Sequence, residues 1–455
     1  MVKSGLKTLV IGGSSLTCLA FLANHLYADE KGIGRNLINH RKDVISPIPD
    51  NPFKGDQNEQ SFLSLVQATR SARDLVQTTI NTYGYPGIVV GVSIKGEPCW
   101  VQGFGFSNLE TATRCNKNTV MRIASISKPI TMTAVAKLYE EGKIDLDKNI
   151  FTFIGDKFPE KKVDGEKVPI TIRQLASHLG GIRHYKKDEV LSCSLLKKYS
   201  NSVDALETFA QDDLLSKPGT KFDYSTYGYT LIAAAVEMAQ PTIKSFGQFL
   251  VQDICQRSLG MTNTYLDENS PIILNRAKQY VKSSDKFTEN SSYVECSYKY
   301  AGGGLLSTIP DLLRFGNVML YSYLPHLNQS KPFLKKSTVD MLWTPIPFGN
   351  IKIDPNLFDW CKYGLGWGLI RDAQASCTSG ACPPFKDIIY HTGAATGGTT
   401  LLMIIPEKEM VVALIINLGK AKGIGNLGLN VAELFSNVKL PATIETNPKE
   451  IVAKE

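Results

Sequence analysis

Strand-like apolar runs gather at the two ends of the central chain and thin out between them. Residues 88–94 (IVVGVSI) and 99–106 (CWVQGFGF) meet at Lys95-Gly96-Glu97 as a hairpin would, and 363–369, 388–391, 399–405 and 410–418 answer them toward the C terminus. Pro406 to Glu409 makes the turn between the last two. Helical periodicity marks 61–83, and a final helix is expected around 427–435. Strands that are nearly all apolar need cover on one or both faces. The simplest solution joins both ends in one antiparallel sheet, with the middle forming a helical part beside it. The expected fold is α+β, an α/β sandwich with an antiparallel sheet flanked by helices, a mostly helical subdomain and a cleft between them.

The chain enters that middle through residues 121–142, MRIASISKPITMTAVAKLYEEG, where Ser125-Ile-Ser-Lys128 sets a serine and a lysine three apart. Ile130, Ala134, Val135 and Leu138 recur at helical spacing, Pro129 suits a first turn and Gly142 a C-terminal stop. Residues three apart on a helix share a face, so the lysine can reach the serine hydroxyl. Serine attacks a carbonyl once its proton is taken, and lysine takes it if burial or nearby positive charge keeps it partly neutral. Alone the spacing is weak: it recurs at Ser4–Lys7, Ser194–Lys197 and Ser283–Lys286, and a serine at a helix start is an ordinary N-cap.

Further along, Thr171-Ile-Arg-Gln-Leu-Ala-Ser-His178 reads as a short helix capped by Thr171 and stopped at Gly180-Gly181. A turn over 217–226 feeds a helix at 227–238. Ala301-Gly-Gly-Gly-Leu-Leu-Ser-Thr308 leads into another, with Thr308 as cap, Pro310 in its first turn and Asp311 three residues on. No Gly-Lys-Ser/Thr follows the triple glycine, so it is not a phosphate loop; it suits tight backbone packing near a pocket.

With 455 residues, 43% hydrophobic and 20% charged, the chain has a soluble globular composition that fits one large catalytic domain, assigned to 61–440. Its net charge of +7 is modest, with no basic run interleaved with aromatics, which argues against nucleic acid as a partner. Nine widely spaced cysteines read as free thiols, although Cys377 and Cys382 bracket a polar loop and could pair locally. The six histidines show no clustered spacing, so neither a metal nor a cofactor is expected. Residues 1–28 carry Lys3 and Lys7 but no acid, with an apolar run at 9–26 that is the candidate for membrane association. They read as a targeting or anchoring segment, 29–60 as a linker and 441–455 as a polar tail.

Ser125-Ile-Ser-Lys128, Tyr224-Ser-Thr226 and His391-Thr-Gly393 come in the order and rough spacing of the three signature elements of serine β-lactamases and penicillin-binding proteins. The blocks RIASISKPIT, ITIRQLASHLGGI, KPGTKFDYSTYGYTL, AGGGLLSTIPDLLRF, YGLGWG and YHTGAATGG resemble the branch of class C β-lactamases, D-alanyl-D-alanine carboxypeptidases and esterases, the S12-like peptidases. The likeness runs from about Gly87 to Leu418 and implies a β-lactamase/transpeptidase-like fold. The leader-like N terminus, the ASISK block and Tyr-Ser-Thr in place of Tyr-Ser-Asn are similar to the animal mitochondrial members. That resemblance implies a mitochondrial, intermembrane-space peptidase that forms homo-oligomeric filaments and affects lipid metabolism. A secretory route is the alternative, in which the sequons at Asn290 and Asn328 would matter.

The resemblance makes Ser125 the nucleophile that forms an acyl-enzyme, with Lys128 placed between it and Tyr224, and Tyr224 handing the proton to the leaving group. It puts His391, Thr392 and Gly393 on the sheet edge lining the cleft, where the glycine admits an extended substrate. The amides of Ala394 and Ser125 would form the oxyanion hole. His391 stands where many lactamases carry lysine, a weaker positive charge for a substrate carboxylate, and Thr226 replaces an asparagine amide. The expected substrate is a peptide or other acyl compound. His178 and His184 read as packing residues.

Overall fold

The computed structural model describes residues 56–186, 189, 197–284, 287–324, 326, 331–347, 361–373, 384–438 and 440. The leader-like segment with its 9–26 run, nearly all of the linker and the 441–455 tail lie outside the described residues, as do Cys377 and Cys382. Contacts divide the chain into two units, Met1–Gln60 and Ser61–Glu455; the site belongs to the second.

Helix α1 (Asp56–Tyr83) starts before the expected residue 61. Strands β1 (Gly87–Ile94) and β2 (Glu97–Asn108) form the expected hairpin, with Lys95 and Gly96 both left-handed at its turn (φ 51° and 82°). A short β3 (Thr113–Arg114) follows, then, among other helices of the middle, α2 (Ser127–Glu140), α3 (Tyr227–Ala239) and α4 (Ile309–Tyr323). The chain returns to strands in β4 (Lys362–Tyr363), β5 (Gly368–Ile370), β6 (Ile388–Ala395), β7 (Gly398–Ile405) and β8 (Met410–Ile416), and the last described helix is α5 (Ile424–Phe435).

The strands form one eight-stranded sheet in the order β4-β5-β6-β7-β8-β1-β2-β3. Its centre is the antiparallel pairing of β1 with β8, from Ile88 opposite Ile416 to Ile94 opposite Met410, so the two ends of the chain do meet. Every residue of β1, β7 and β8 is buried, which is why these strands lack polar alternation. Alternate side chains instead enter two different cores. Val411, Ala413 and Ile415 pack with Ile309, Leu312 and Leu313 of α4 and with the middle region. Val412, Leu414 and Ile416 pack with Ala72 and Val76 of α1 and with Leu427 and Val431 of α5. A methyl on Gly316 would lie 2.4 Å from Val411, so that glycine lets α4 settle onto the sheet.

Two expectations need correction. The run 363–369 is not one strand: Gly366 (φ 82°) and the Gly364 amide bonding to Trp367 O (2.8 Å) fold it into the β4–β5 hairpin. The middle is also less purely helical than its sequence. Met121–Arg122, Leu305–Ser307 and Tyr265–Leu266 form a small sheet whose strands are too short to show a period, with Leu305–Ser307 central. The caps match: Thr171 forms a capping box with Gln174, and Thr308 accepts from the Asp311 amide. Among the described residues no helix is long and apolar enough to cross a membrane.

Candidate active site

Ser125 lies in a 3-10 turn (Ala124–Ile126) immediately ahead of α2, whose N-cap position is Ile126 and has no side-chain cap. The serine hydroxyl is therefore free of capping duty. The residue before it, Ala124, is left-handed (φ 47°), a conformation costly for a residue with a Cβ and common at functional turns. The surroundings hold it there. Ser127 Oγ donates to Ala124 O (2.7 Å), Thr400 Oγ1 donates to Arg122 O (3.1 Å), and Arg122 pairs with Asp267 while donating to Thr396 O (2.7 Å).

Lys128, in the first turn of α2, is fully buried, and its amine lies 3.1 Å from Ser125 Oγ, 3.2 Å from Thr226 Oγ1 and 2.6 Å from Gly302 O. Burial, with help from the Lys299 cation, holds its pKa well below that of an ordinary lysine. A neutral amine has two N–H groups and one lone pair. In that form Lys128 can give its two hydrogens to Gly302 O and Thr226 Oγ1 and keep the lone pair facing Ser125 Oγ. On the other side of the serine, Tyr224 donates its hydroxyl to Ser125 Oγ at 2.9 Å. Burial pushes the Tyr224 phenol up, and the bond to Ser125 only partly offsets it, so the phenol stays protonated and remains a donor. The order of the three differs from the expected one. Serine, not lysine, is the centre, and Lys128 Nζ meets the Tyr224 ring face, 4.7 Å from its centroid.

The β6 residues are partly placed as expected. β5 pairs with β6 only through Ile388, Ile389 and Tyr390, so from His391 onward that side of β6 has no strand partner among the described residues. Thr392 is half-buried and Ala394 exposed on this stretch. Gly393, however, makes room for the protein itself: a Cβ there would sit 2.4 Å from Ile123 O and 3.2 Å from Ala124 Cβ, so its bareness seats the Ser125 turn against β6. His391 also departs from expectation. It is buried, its Nε2 meets the Tyr363 hydroxyl at 2.9 Å and its Nδ1 meets Thr392 O at 2.6 Å. Burial above all lowers its pKa to about 3, so near neutral pH it offers no positive charge to a substrate. Thr226 is buried and spends its hydroxyl on Lys128.

Several contributors are invisible as side-chain chemistry in the sequence. Gly302 acts through its carbonyl, and of the triple glycine it and Gly304 are tightly packed (Thr226 Cγ2 at 2.7 Å and Tyr300 Cδ1 at 2.9 Å from an added Cβ). An added Cβ on Gly303 would come no nearer than 4.0 Å to another atom, that of Ala124 C, so this glycine leaves open space beside the Ser125 turn. His184 accepts from the Thr226 amide at Nδ1 (3.1 Å), and burial above all lowers its pKa to about 3. His178 and His184 thus stay neutral and neither touches Ser125 Oγ, in keeping with packing roles. Among the described residues no cluster of three or more His, Cys, Asp or Glu is placed to hold a metal, and Cys99, Cys115, Cys255 and Cys296 are free thiols.

The family model described as Beta-lactamase matches residues 72–428. The chain belongs to the β-lactamase family. It is 36% identical over 450 residues to the human serine beta-lactamase-like protein LACTB, mitochondrial, covering 81% of this chain and 80% of that protein. The mouse protein of the same name is 34% identical over 90% of this chain and 86% of its own length. Among solved structures, the octameric penicillin-binding protein homologue from Pyrococcus abyssi superposes with a TM-score of 0.66 at 21% identity, covering 82% of this chain and 78% of that one. A class C beta lactamase gives 0.61 at 15% identity, covering 81% and 98%. At such identities the structures attest the fold, an antiparallel sheet with helices of β-lactamase and penicillin-binding-protein type. The family membership makes the chain a serine β-lactamase-like hydrolase related to LACTB.

Proposed function

We propose that this hydrolase is a peptidase working through a Ser125 acyl-enzyme, with Lys128 as base and Tyr224 as proton donor. The observation that carries the reading is the position of Ser125 Oγ between an amine kept uncharged and a phenol kept protonated, at 3.1 and 2.9 Å. Lys128 takes the serine proton as Oγ bonds to the acyl carbon, and the resulting oxyanion is held by the amides of Ser125 and Ala394. As the oxyanion collapses and the C–N bond breaks, Tyr224 gives its proton to the departing amine, which leaves a phenolate beside the Lys128 ammonium. In the second half, the phenolate takes the proton of the water that attacks the acyl-enzyme, and the ammonium returns its proton to Ser125 Oγ as the acyl bond breaks.

Esters and lactams would fit the same acyl chemistry and form the second reading. The uncharged His391 weighs against penicillins, since it leaves their carboxylate without a cation on β6. The names of the human and mouse relatives support mitochondrial residence; we place the chain in the intermembrane space. The octameric state of the archaeal homologue supports self-assembly into homo-oligomers; we extend the proposal to filaments and to a bearing on lipid metabolism.

A fluorophosphonate probe followed by intact mass tests the core of the reading. One adduct on the wild type and none on Ser125→Ala is the expected result, after which peptide, ester and lactam panels rank the substrates. A folded wild type that never labels would leave a filament scaffold, with catalysis secondary, as the better account.

A further inference from the structure

A second hydrogen-bonded chain lies behind the catalytic cluster and has no part in the chemistry just described. The Ser225 amide meets His178 Nδ1 at 3.1 Å, His178 Nε2 meets the Tyr363 hydroxyl at 3.2 Å, that hydroxyl meets His391 Nε2 at 2.9 Å, and His391 Nδ1 meets Thr392 O at 2.6 Å. His178, Tyr363 and His391 are all buried, at 1%, 0% and 2% exposure, so water does not compete for these bonds. The two ends are backbone groups of fixed character, since an amide N–H only donates and a carbonyl only accepts. The polarity of every link follows. His178 accepts at Nδ1 and donates from Nε2, Tyr363 accepts from His178 and donates to His391, and His391 donates from Nδ1.

A proton wire must be able to reverse its bonds, and this chain cannot, because Thr392 O has no hydrogen to give back. It holds geometry instead. One end grips the Tyr224–Ser225 peptide. His178 also accepts the Asp223 amide at its carbonyl (2.9 Å) and lies with its ring 4.2 Å from that of Tyr224, so it brackets the tyrosine from both sides in the chain. His178 does this from a left-handed backbone (φ 62°), a strain worth keeping only where the surroundings require it. The other end grips the Thr392–Gly393 peptide, just ahead of Ala394. Tyr363 comes from β4 and bridges them. Both histidines are held neutral above all by burial, so the chain does not change its proton content near neutral pH.

We infer that His178, Tyr363 and His391 form a buried strut of fixed polarity that sets the spacing between the Tyr224 hydroxyl and the Ala394 amide, with the Tyr363 hydroxyl as its joint. These are positioning residues, and the inference deepens the acyl-transfer reading and rests on it. His391 then stands where a charged residue is common because the strut needs a group that accepts at one nitrogen and donates at the other.

The test uses the full-length protein. In wild type labelled with 15N-histidine, His178 should appear as the Nε2–H tautomer and His391 as the Nδ1–H tautomer, neither titrating between pH 5 and 8. Tyr363→Phe should lower kcat about tenfold to thirtyfold on the best substrate and slow fluorophosphonate labelling likewise, with KM within about threefold. In that variant His391, freed at Nε2, should lose its single tautomer. The strut is overturned if wild-type His391 carries its proton on Nε2 or titrates near pH 6.5, or if Tyr363→Phe keeps wild-type kcat or loses only KM. The wild-type spectrum decides even if the variant misfolds. A wild type that shows the expected tautomers but never labels at Ser125 overturns the hydrolase reading and this role together, whereas one that labels but shows the wrong tautomers overturns the strut alone.

Discussion

Two hydrogen-bonded clusters, side by side in one cleft, are built to opposite rules. Around Ser125 each partner can act as donor or acceptor: an amine, an alcohol and a phenol, with bonds of 3.1 and 2.9 Å that can reverse as a proton moves. Along His178, Tyr363 and His391 the groups are as titratable, yet the amide of Ser225 and the carbonyl of Thr392 fix the direction of every bond. Burial alone does not separate them: Lys128 is as buried as the strut, while Ser125 and Tyr224 are half-buried. What separates them is how they end. A network that meets backbone at only one end, as Lys128 meets Gly302 O, can carry a proton, and one capped by backbone at both ends can only hold a shape.

The contrast can be broken most severely at its mobile half. Ser125→Ala should abolish probe labelling and hydrolysis, read by intact mass and turnover. Lys128→Met, which keeps the bulk and removes the lone pair, should cost about 10³–10⁴ in kcat without unfolding the protein, as judged by thermal melting. If Lys128→Met retained most activity, the lysine would not be the base. Tyr224→Phe should cost about 10², and more on amides than on activated esters, since a poor leaving group needs the donated proton. An equal loss on both would point to Tyr224 as a packing residue. Thr226→Val removes one acceptor from the Lys128 amine and should lower kcat about fivefold, the rate equivalent of one modest hydrogen bond of about 1 kcal/mol. The kcat/KM profile should carry no lysine limb near pH 10, because burial moves that titration well down.

The fixed half is sharpened through stability. His391 binds its proton only at about pH 3, and His178 is shifted the same way, whereas unfolded histidine titrates near pH 6.5. Between those limits the unfolded chain binds more protons, so stability should fall as pH drops below about 6.5. Each histidine adds at most about 1.4 kcal/mol per pH unit in that window. Melting followed at pH 7.5, 6 and 5 checks this; an unchanged melting temperature would show that the histidines already titrate in the folded state.

Much of this is legible in the sequence for physical reasons. Ser125, Lys128 and Tyr224 are distinguished by side-chain type and spacing, and β1, β2, β7 and β8 by apolar runs that a buried central sheet demands. Helix caps at Thr171 and Thr308 announce themselves by residue type. The rest is hidden where the working atom is backbone or where a role depends on neighbours far along the chain. Gly302 contributes a carbonyl, which no residue letter encodes. Gly393 reads as an opening for substrate, but what fills the space is Ile123, a contact that only the folded chain reveals. His391 reads by its ordinary basicity, and nothing in His-Thr-Gly says that Tyr363 and Thr392 will occupy both nitrogens. Tyr363 itself stands within a recognisable block, YGLGWG, without any sign that its hydroxyl is the useful part.

The joining of β1 to β8 at the middle of the sheet has a temporal consequence. The strand that opens the sheet pairs at once with β2 but must wait for the last strand to fill its other edge, and loop closure over most of the chain makes such folding slow. Until then the α4 face and the Ser125 turn lack the β6–β8 part of the sheet they rest on, so the site takes shape only after the C-terminal strands have been made.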